Sequence, residues 1–304
     1  MKPIVHISTI QKLHQLAGLD APNHPLYAIG RIEDLIGLEG NFQFPLTYNF
    51  YSIGLKKNLN GYVKYGRTQY DFQEGALGFS APMQIMEFSK DITQNASGWL
   101  FYFHKDLFAG TTLDAKLSDY SFFNYQVNEG LHLSKSEEQI IHLIFENIER
   151  EYNAPIDKHS KQVVLSNVEL LLTYAQRFYT RQFILRNDVK PDILQHFERE
   201  LKRYYRNNQY PSNYAEFPTV AYFANLLHLS PSYLSDLLKS NTGKTTLEHI
   251  HLQIIEVAKE RLLATNTSIS EVAYSLGFDY PQYFSRLFKN KTGMTPKQYK
   301  LTAA

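Results

Sequence analysis

Histidine and cysteine most often carry metal and nucleophilic chemistry, so their positions set the first constraint. The chain has no cysteine. That excludes disulfide scaffolds, thiolate zinc sites, iron–sulfur clusters and a Cys nucleophile. Residues 1–132 hold His6, His14, His24, His104 and His132, with no His-x-His pair among them. His249 and His251 do form such a pair, but within a helical pattern. Residues two apart on a helix diverge by ~200° and cannot share one ion. GxSxG, GxGxxG, GxxxxGK[ST] and HExxH are absent. The expectation is therefore no metal, no cofactor and no catalysis. The first half does carry aromatic surface: Tyr48, Phe50, Tyr65, Phe79, Trp99 and Phe101. These rings suffice to line an apolar pocket for a small molecule, and they equally suffice to fill a core.

At 304 residues the chain is long enough for two domains, and 43% apolar against 20% charged residues lets both bury a core. No apolar run reaches the ~18 residues of a membrane helix, and the N-terminus lacks the apolar stretch of a signal peptide. A soluble cytoplasmic protein with no membrane partner is expected. The net charge of +1 names no partner by itself. It is unevenly spread: residues 195–304 hold 13 Lys+Arg and 9 Asp+Glu, whereas residues 1–194 hold 18 and 21. A mildly basic C-terminal third is permissive for nucleic acid.

Residues 25–130 show short apolar runs (Tyr48–Leu55, Tyr62–Tyr65, Ala76–Phe79, Trp99–Phe103) separated by Gly, Asn and Pro. This spacing predicts an antiparallel sandwich or small barrel. From Ser134 the period becomes helical. Ser134 and Glu137 form a capping-box pattern ahead of a helix to about residue 152. A second helix is predicted over about 158–186. On it Val164, Val168, Leu171, Ala175 and Phe178 step by 4, 3, 4 and 3, a coiled-coil-like seam that could pack against a second copy of the chain. Pro191 and its neighbours mark a boundary. The expected organisation is thus 1–186, a linker at 187–194, and 195–304.

The last hundred residues contain a duplication. YLSDLLKSNTGKT at 233–245 and YFSRLFKNKTGMT at 283–295 are identical at seven of thirteen positions. Upstream, Val220, Phe223, Ala224 and Leu227 match Ile269, Val272, Ala273 and Leu276 at an offset of 49. Each copy reads as a helix, a tight turn and a second helix, over about 219–240 and 269–290. Ser230 and Asp279 are natural N-caps, Pro231 suits a first helical position, and Gly243 and Gly293 suit a C-terminal cap. Residues 247–264 form a helical connector of ~27 Å. A rod of that length can hold two second helices near successive major grooves, which recur about every 34 Å.

The duplicated segment resembles the DNA-binding domain of the AraC/XylS family of bacterial transcription regulators, over about residues 195–301. The stretch that carries the resemblance runs from Ser268-Ile269-Ser270-Glu271-Val272-Ala273 through Gly277-Phe278. It continues with Tyr283-Phe284-Ser285-Arg286-Leu287-Phe288-Lys289, then Gly293-Met294-Thr295-Pro296 and Tyr299. Ala258-Lys259-Glu260-Arg261-Leu262-Leu263 fits the family's connector. The aromatic first half is similar, by pattern, to the cupin-like sensing and dimerisation domain of many members. It lacks the His-x-His and carboxylate spacing of a cupin metal box. The resemblance implies an α+β chain: an antiparallel jelly-roll or cupin-like domain with two helices, then an all-α double helix-turn-helix domain.

It also implies roles. The second reader helix would use Pro281, Gln282, Tyr283, Ser285 and Arg286, with Lys289 near phosphate. Arg suits guanine and Gln suits adenine. The first would use Ser232, Ser235 and Asp236, with Lys239 near phosphate. Asp236 stands where the family often has Arg, so either that helix prefers a cytosine or Asp236 makes a structural pair. His228 replaces the Gly expected at the first turn, and Gln253 replaces a connector Arg. The implied function is a sequence-specific transcription regulator of effector-responsive activator type, and the implied partners are double-stranded DNA, a second copy, a small-molecule effector and, for an activator, RNA polymerase. Residues 1–25 would serve as an arm. Relatives that repair alkylated DNA need a Cys nucleophile, which is absent here. Two alternatives stay open: a ligand-independent DNA-binding protein whose first domain only dimerises, and a cupin metalloenzyme fused to a DNA-binding domain.

Overall fold

The computed structural model describes residues 3–35, 44–57, 59–65, 68–72, 75–88, 96–126, 129–189, 192–207, 217–263 and 267–302. The chain divides into two units, Met1–Gln182 and Phe183–Ala304. The predicted linker at 187–194 is mostly helix, because α4 (Ser160–Val189) and α5 (Asp192–Asn207) run into it from either side.

In the first unit, alternating apolar residues build two five-stranded sheets. One has the order β1 (Val5–Ile7), β3 (Leu46–Tyr48), β8 (Met86–Phe88), β5 (Leu59–Tyr65), β6 (Thr68–Phe72). The other has the order β10 (Leu131–His132), β7 (Ala76–Ser80), β4 (Tyr51–Lys57), β9 (Ser97–Phe103), β2 (Tyr27–Arg31). All pairs are antiparallel except β1–β3. Ile7, Leu46, Tyr48 and Met86 of the first sheet share one cluster with Ala28 of the second. The predicted run Tyr48–Leu55 is split between β3, which ends at Tyr48, and β4, which begins at Tyr51. Gly98 has φ +138°, and a Cβ there would collide with the Leu55 carbonyl, so the close β4–β9 approach requires glycine at that point.

Within residues 3–25 the chain packs on the first sheet. β1 pairs with β3, and Ile10, Leu13 and Ala17 of α1 (Ile10–Ala17) are buried. Ser134 and Glu137 form the predicted capping box of α3 (Lys135–Tyr152). The expected seam on α4 is corrected by the structure. Val164, Val168, Leu171, Ala175 and Phe178 are all core residues, at most 4% exposed. A residue already buried within one chain cannot be the surface that meets a second. The 3–4 spacing of a coiled coil is also that of any helix laid on its own core, and the latter holds here. Among the described residues, the large apolar side chains that α3 and α4 leave exposed are Leu143, Val163, Leu170 and Ile184.

Among the described residues the regular elements of the second unit are all helices. Its core joins Phe197, Leu201 and Tyr205 of α5 to Phe223, Ala224, Leu234, Leu238, Val272, Ala273, Phe284 and Phe288, with Ile250, Ile254, Ala258 and Leu262 running through the middle.

Candidate nucleic-acid interface

The two copies of the repeat fold alike because the same residues make the same bonds. In the first, Thr219 caps α6 (Val220–Leu226) and Ser230 caps α7 (Pro231–Thr242), with Pro231 in the first turn. In the second, Ser268 and Glu271 form a capping box on α9 (Ile269–Ser275), and α10 spans Pro281–Thr292. The Ser268 N–H donates to Glu271 and holds that carboxyl below its ordinary range. Leu229 N donates to Ala224 O at 2.9 Å, and Phe278 N to Ala273 O at 3.1 Å. Each turn therefore closes on the alanine whose small size lets the second helix approach.

The identical Thr-Gly-x-Thr segments have identical uses. Thr242 Oγ1 donates to Leu238 O and Thr292 Oγ1 to Phe288 O, both at 2.8 Å. Gly243 and Gly293 end their helices in the left-handed region, with φ 74° and 79°. Thr245 with Glu248, and Thr295 with Gln298, then cap the next helix reciprocally: α8 (Thr246–Leu263) and α11 (Pro296–Thr302). The 18 residues of α8 span ~27 Å, the predicted connector length. Its Arg261 donates to Ser275 O at 2.7 Å and Ser275 Oγ at 2.6 Å, tying the rod to the end of α9.

The copies differ where they face solvent. On α10, Gln282, Tyr283, Arg286 and Lys289 are exposed, while Pro281 and Ser285 are half-buried. The Arg286 guanidinium lies 5.3 Å from the Tyr283 ring centroid. On α7, Lys239 is exposed, but Ser232, Ser235 and Asp236 are half-buried. Ser235 Oγ donates to Thr246 Oγ1 at 3.2 Å, which ties its hydroxyl to the start of α8. The predicted Asp279 cap is not made: the N-cap of α10 is Tyr280, with no side-chain capping bond. Tyr280, 57% exposed beside Tyr283, was not among the predicted readers, although its position before Pro281 marked the start of the helix. His228 takes φ 56° where the second copy has Gly277 at 88°.

A family model described as a helix-turn-helix domain matches residues 223–301. The Arabinose operon regulatory protein of Escherichia coli is 35% identical over 34% of this chain and 34% of its own length. This chain carries an AraC-type helix-turn-helix domain. The bifunctional transcriptional activator/DNA repair enzyme AdaA of Bacillus subtilis is 34% identical over 29% of this chain and 42% of its own length. The HTH-type transcriptional regulator YfiF of Bacillus subtilis is 24% identical over 82% of this chain and 76% of its own. The chain thus spans less than half the length of the first two relatives. Against the AraC-type pattern, His228 accepts the left-handed backbone that glycine normally takes, at a steric cost.

The first unit was expected to offer an aromatic pocket. Tyr48, Phe50, Phe79, Trp99 and Phe101 are instead buried among other rings, and the Tyr65 side chain lies outside the described residues. Tyr48 stacks on Phe50 at 4.9 Å, and Phe79 packs on Phe122 at 4.4 Å. Trp99 stacks on Phe145, carries Arg31 3.3 Å from its ring centroid and donates Nε1–H to His142 Nδ1. Neither its face nor its N–H is left for a ligand. A cavity of about 310 Å³ opens elsewhere, lined among others by His14, Asp20, Gly30, Leu100, Tyr102 and Tyr152. Among the described residues no group of three His, Asp or Glu is placed to hold a metal ion, and no helix is long and apolar enough to cross a membrane.

Proposed function

We propose that the chain is a sequence-specific DNA-binding transcription regulator whose AraC-type domain reads double-stranded DNA mainly through α10. The exposed row Gln282, Arg286 and Lys289, one helical turn apart on one face, supports this reading most directly. Arg286 and Gln282 supply base-edge bonds, and Lys289 and Lys239 supply phosphate contacts. α7 contributes less direct readout, since Ser235 is engaged by Thr246. The wider proposal has two copies presenting four such helices to paired half-sites. A small molecule in the 310 Å³ cavity of the first unit controls them, and transcription is activated through RNA polymerase in the cytoplasm. No catalytic step is part of it.

The test is fluorescence anisotropy on a duplex selected by the full chain from a random pool. Arg286→Ala weakens specific binding by about 1–3 kcal/mol and leaves non-specific binding nearly unchanged. Lys289→Ala weakens all sequences alike and lowers the salt slope by about 1. An Arg286→Ala chain that keeps full affinity and the same motif removes α10 from the interface.

A further inference from the structure

α10 leaves two aromatic rings in solvent that its core does not need. Phe284 and Phe288 fill the inner face at 0% exposure, whereas Tyr280 and Tyr283 are 57% and 52% exposed. The two tyrosines meet edge to face, with centroids 5.8 Å apart. Arg286, one turn on, lies with its guanidinium 5.3 Å from the Tyr283 centroid. Clustered exposed rings on a surface helix mark a contact surface rather than a fold requirement. The arrangement has two chemically distinct parts. The ring pair is an apolar shelf, and the only apolar group in the major groove of ordinary DNA is the C5-methyl of thymine. The guanidinium beside it is a planar fork, matched to guanine O6 and N7 and held in place by the tyrosine face.

We propose that Tyr280, Tyr283 and Arg286 form one specificity element that reads a thymine next to a guanine: the tyrosine shelf contacts the thymine methyl and Arg286 bonds the guanine. This rests on the reading of α10 as the DNA-facing helix. It adds Tyr280 as a specificity residue and names the bases. α7 has no equivalent. Its Ser230, at the N-cap, and Tyr233, the matching ring, are both buried.

The experiment takes the motif selected by the full chain from a random duplex pool and replaces one atom group at a time. Thymine to uracil deletes only the methyl, and guanine to 7-deazaguanine deletes only the N7 acceptor. At one thymine position the uracil duplex binds about 4-fold more weakly, the worth of one buried methyl group. At the adjacent guanine, 7-deazaguanine costs roughly 10-fold. The double variant Tyr280→Ala/Tyr283→Ala no longer distinguishes uracil from thymine. Tyr280→Phe/Tyr283→Phe, which keeps the rings, still does, so a loss through misfolding is separated from loss of the shelf. Arg286→Ala no longer distinguishes 7-deazaguanine from guanine. A motif in which every uracil duplex binds like its thymine parent overturns the inference and leaves the regulator reading standing, as does methyl discrimination that survives in the double Ala variant. A pool that yields no motif overturns both.

Discussion

Lys56 shows how much a single side chain sets the conditions under which the first unit is stable. It is 5% exposed on β4, and burial alone pulls its ammonium down to about 8 from the ordinary 10.5. Below pH 8 both folded and unfolded chains hold the proton, and the folded one bears the cost of a buried charge. Between pH 8 and 10.5 the folded chain gives up the proton while the unfolded chain keeps it. The unfolded state then binds more protons, so stability rises with pH across that window, by about 3 kcal/mol if the whole shift is expressed. Lys56→Met removes the titration. Its melting temperature should exceed that of the wild type at pH 7, and the gap should narrow as the pH is raised to 10. A gap that stays constant over that range contradicts the assignment. At the same scale, the exposed place of Arg286 on the second helix was legible from the helical pattern, and the resemblance makes it a proposed reader. Tyr280 was not, because a residue before a helix-starting proline reads first as a turn residue, and only its exposure beside Tyr283 gives it a second meaning.

The helix-turn-helix elements of the second unit were legible because they are written twice, whereas α5 lies outside the duplication. The turn bonds to Ala224 and Ala273 and the Thr-Gly-x-Thr terminators recur with the same bonds, while the N-cap of the second helix does not: Ser230 caps α7, and Tyr280 makes no capping bond on α10. The two turns make a matched pair for a test, since one has His228 and the other Gly277 in the left-handed region. A side chain there costs about 1–2 kcal/mol, offset in part by the freedom glycine has when unfolded. His228→Gly should therefore raise the melting temperature and Gly277→Ala should lower it. Thermal unfolding shifts of the same sign would contradict the equivalence of the turns. The α4 seam was misread for a reason that belongs to this scale. Period fixes which residues of a helix face together, but whether that face meets its own chain or another is decided by what the rest of the chain brings to it. The packing of the rings proposed for a pocket was hidden for the same reason. Ring content is visible in sequence, whereas the packing of Trp99 between Phe145 and Arg31 depends on strands and a helix far apart in the chain.

For the whole molecule, the strands, their Gly-punctuated spacing and the shift to helical period at Ser134 carried the α+β organisation, while the pairing order of the two sheets had no local signature. The division between the units falls at Gln182/Phe183, inside α4, which runs on to Val189 and so into the segment 187–194 expected as a linker. What the duplication contributes at this scale is length: α8 sets ~27 Å of rigid helix between the copies, against about 34 Å for one turn of DNA. Hydroxyl-radical footprinting of the full chain on its selected duplex measures this directly. The account predicts two protected segments on one face of the DNA for each bound chain, centred about one helical turn apart, with Arg286→Ala losing the segment next to the α10-dependent bases and retaining weaker protection of the other. A single protected segment, or two on opposite faces, would contradict the claim that the duplicated helix pairs read one face of the double helix together.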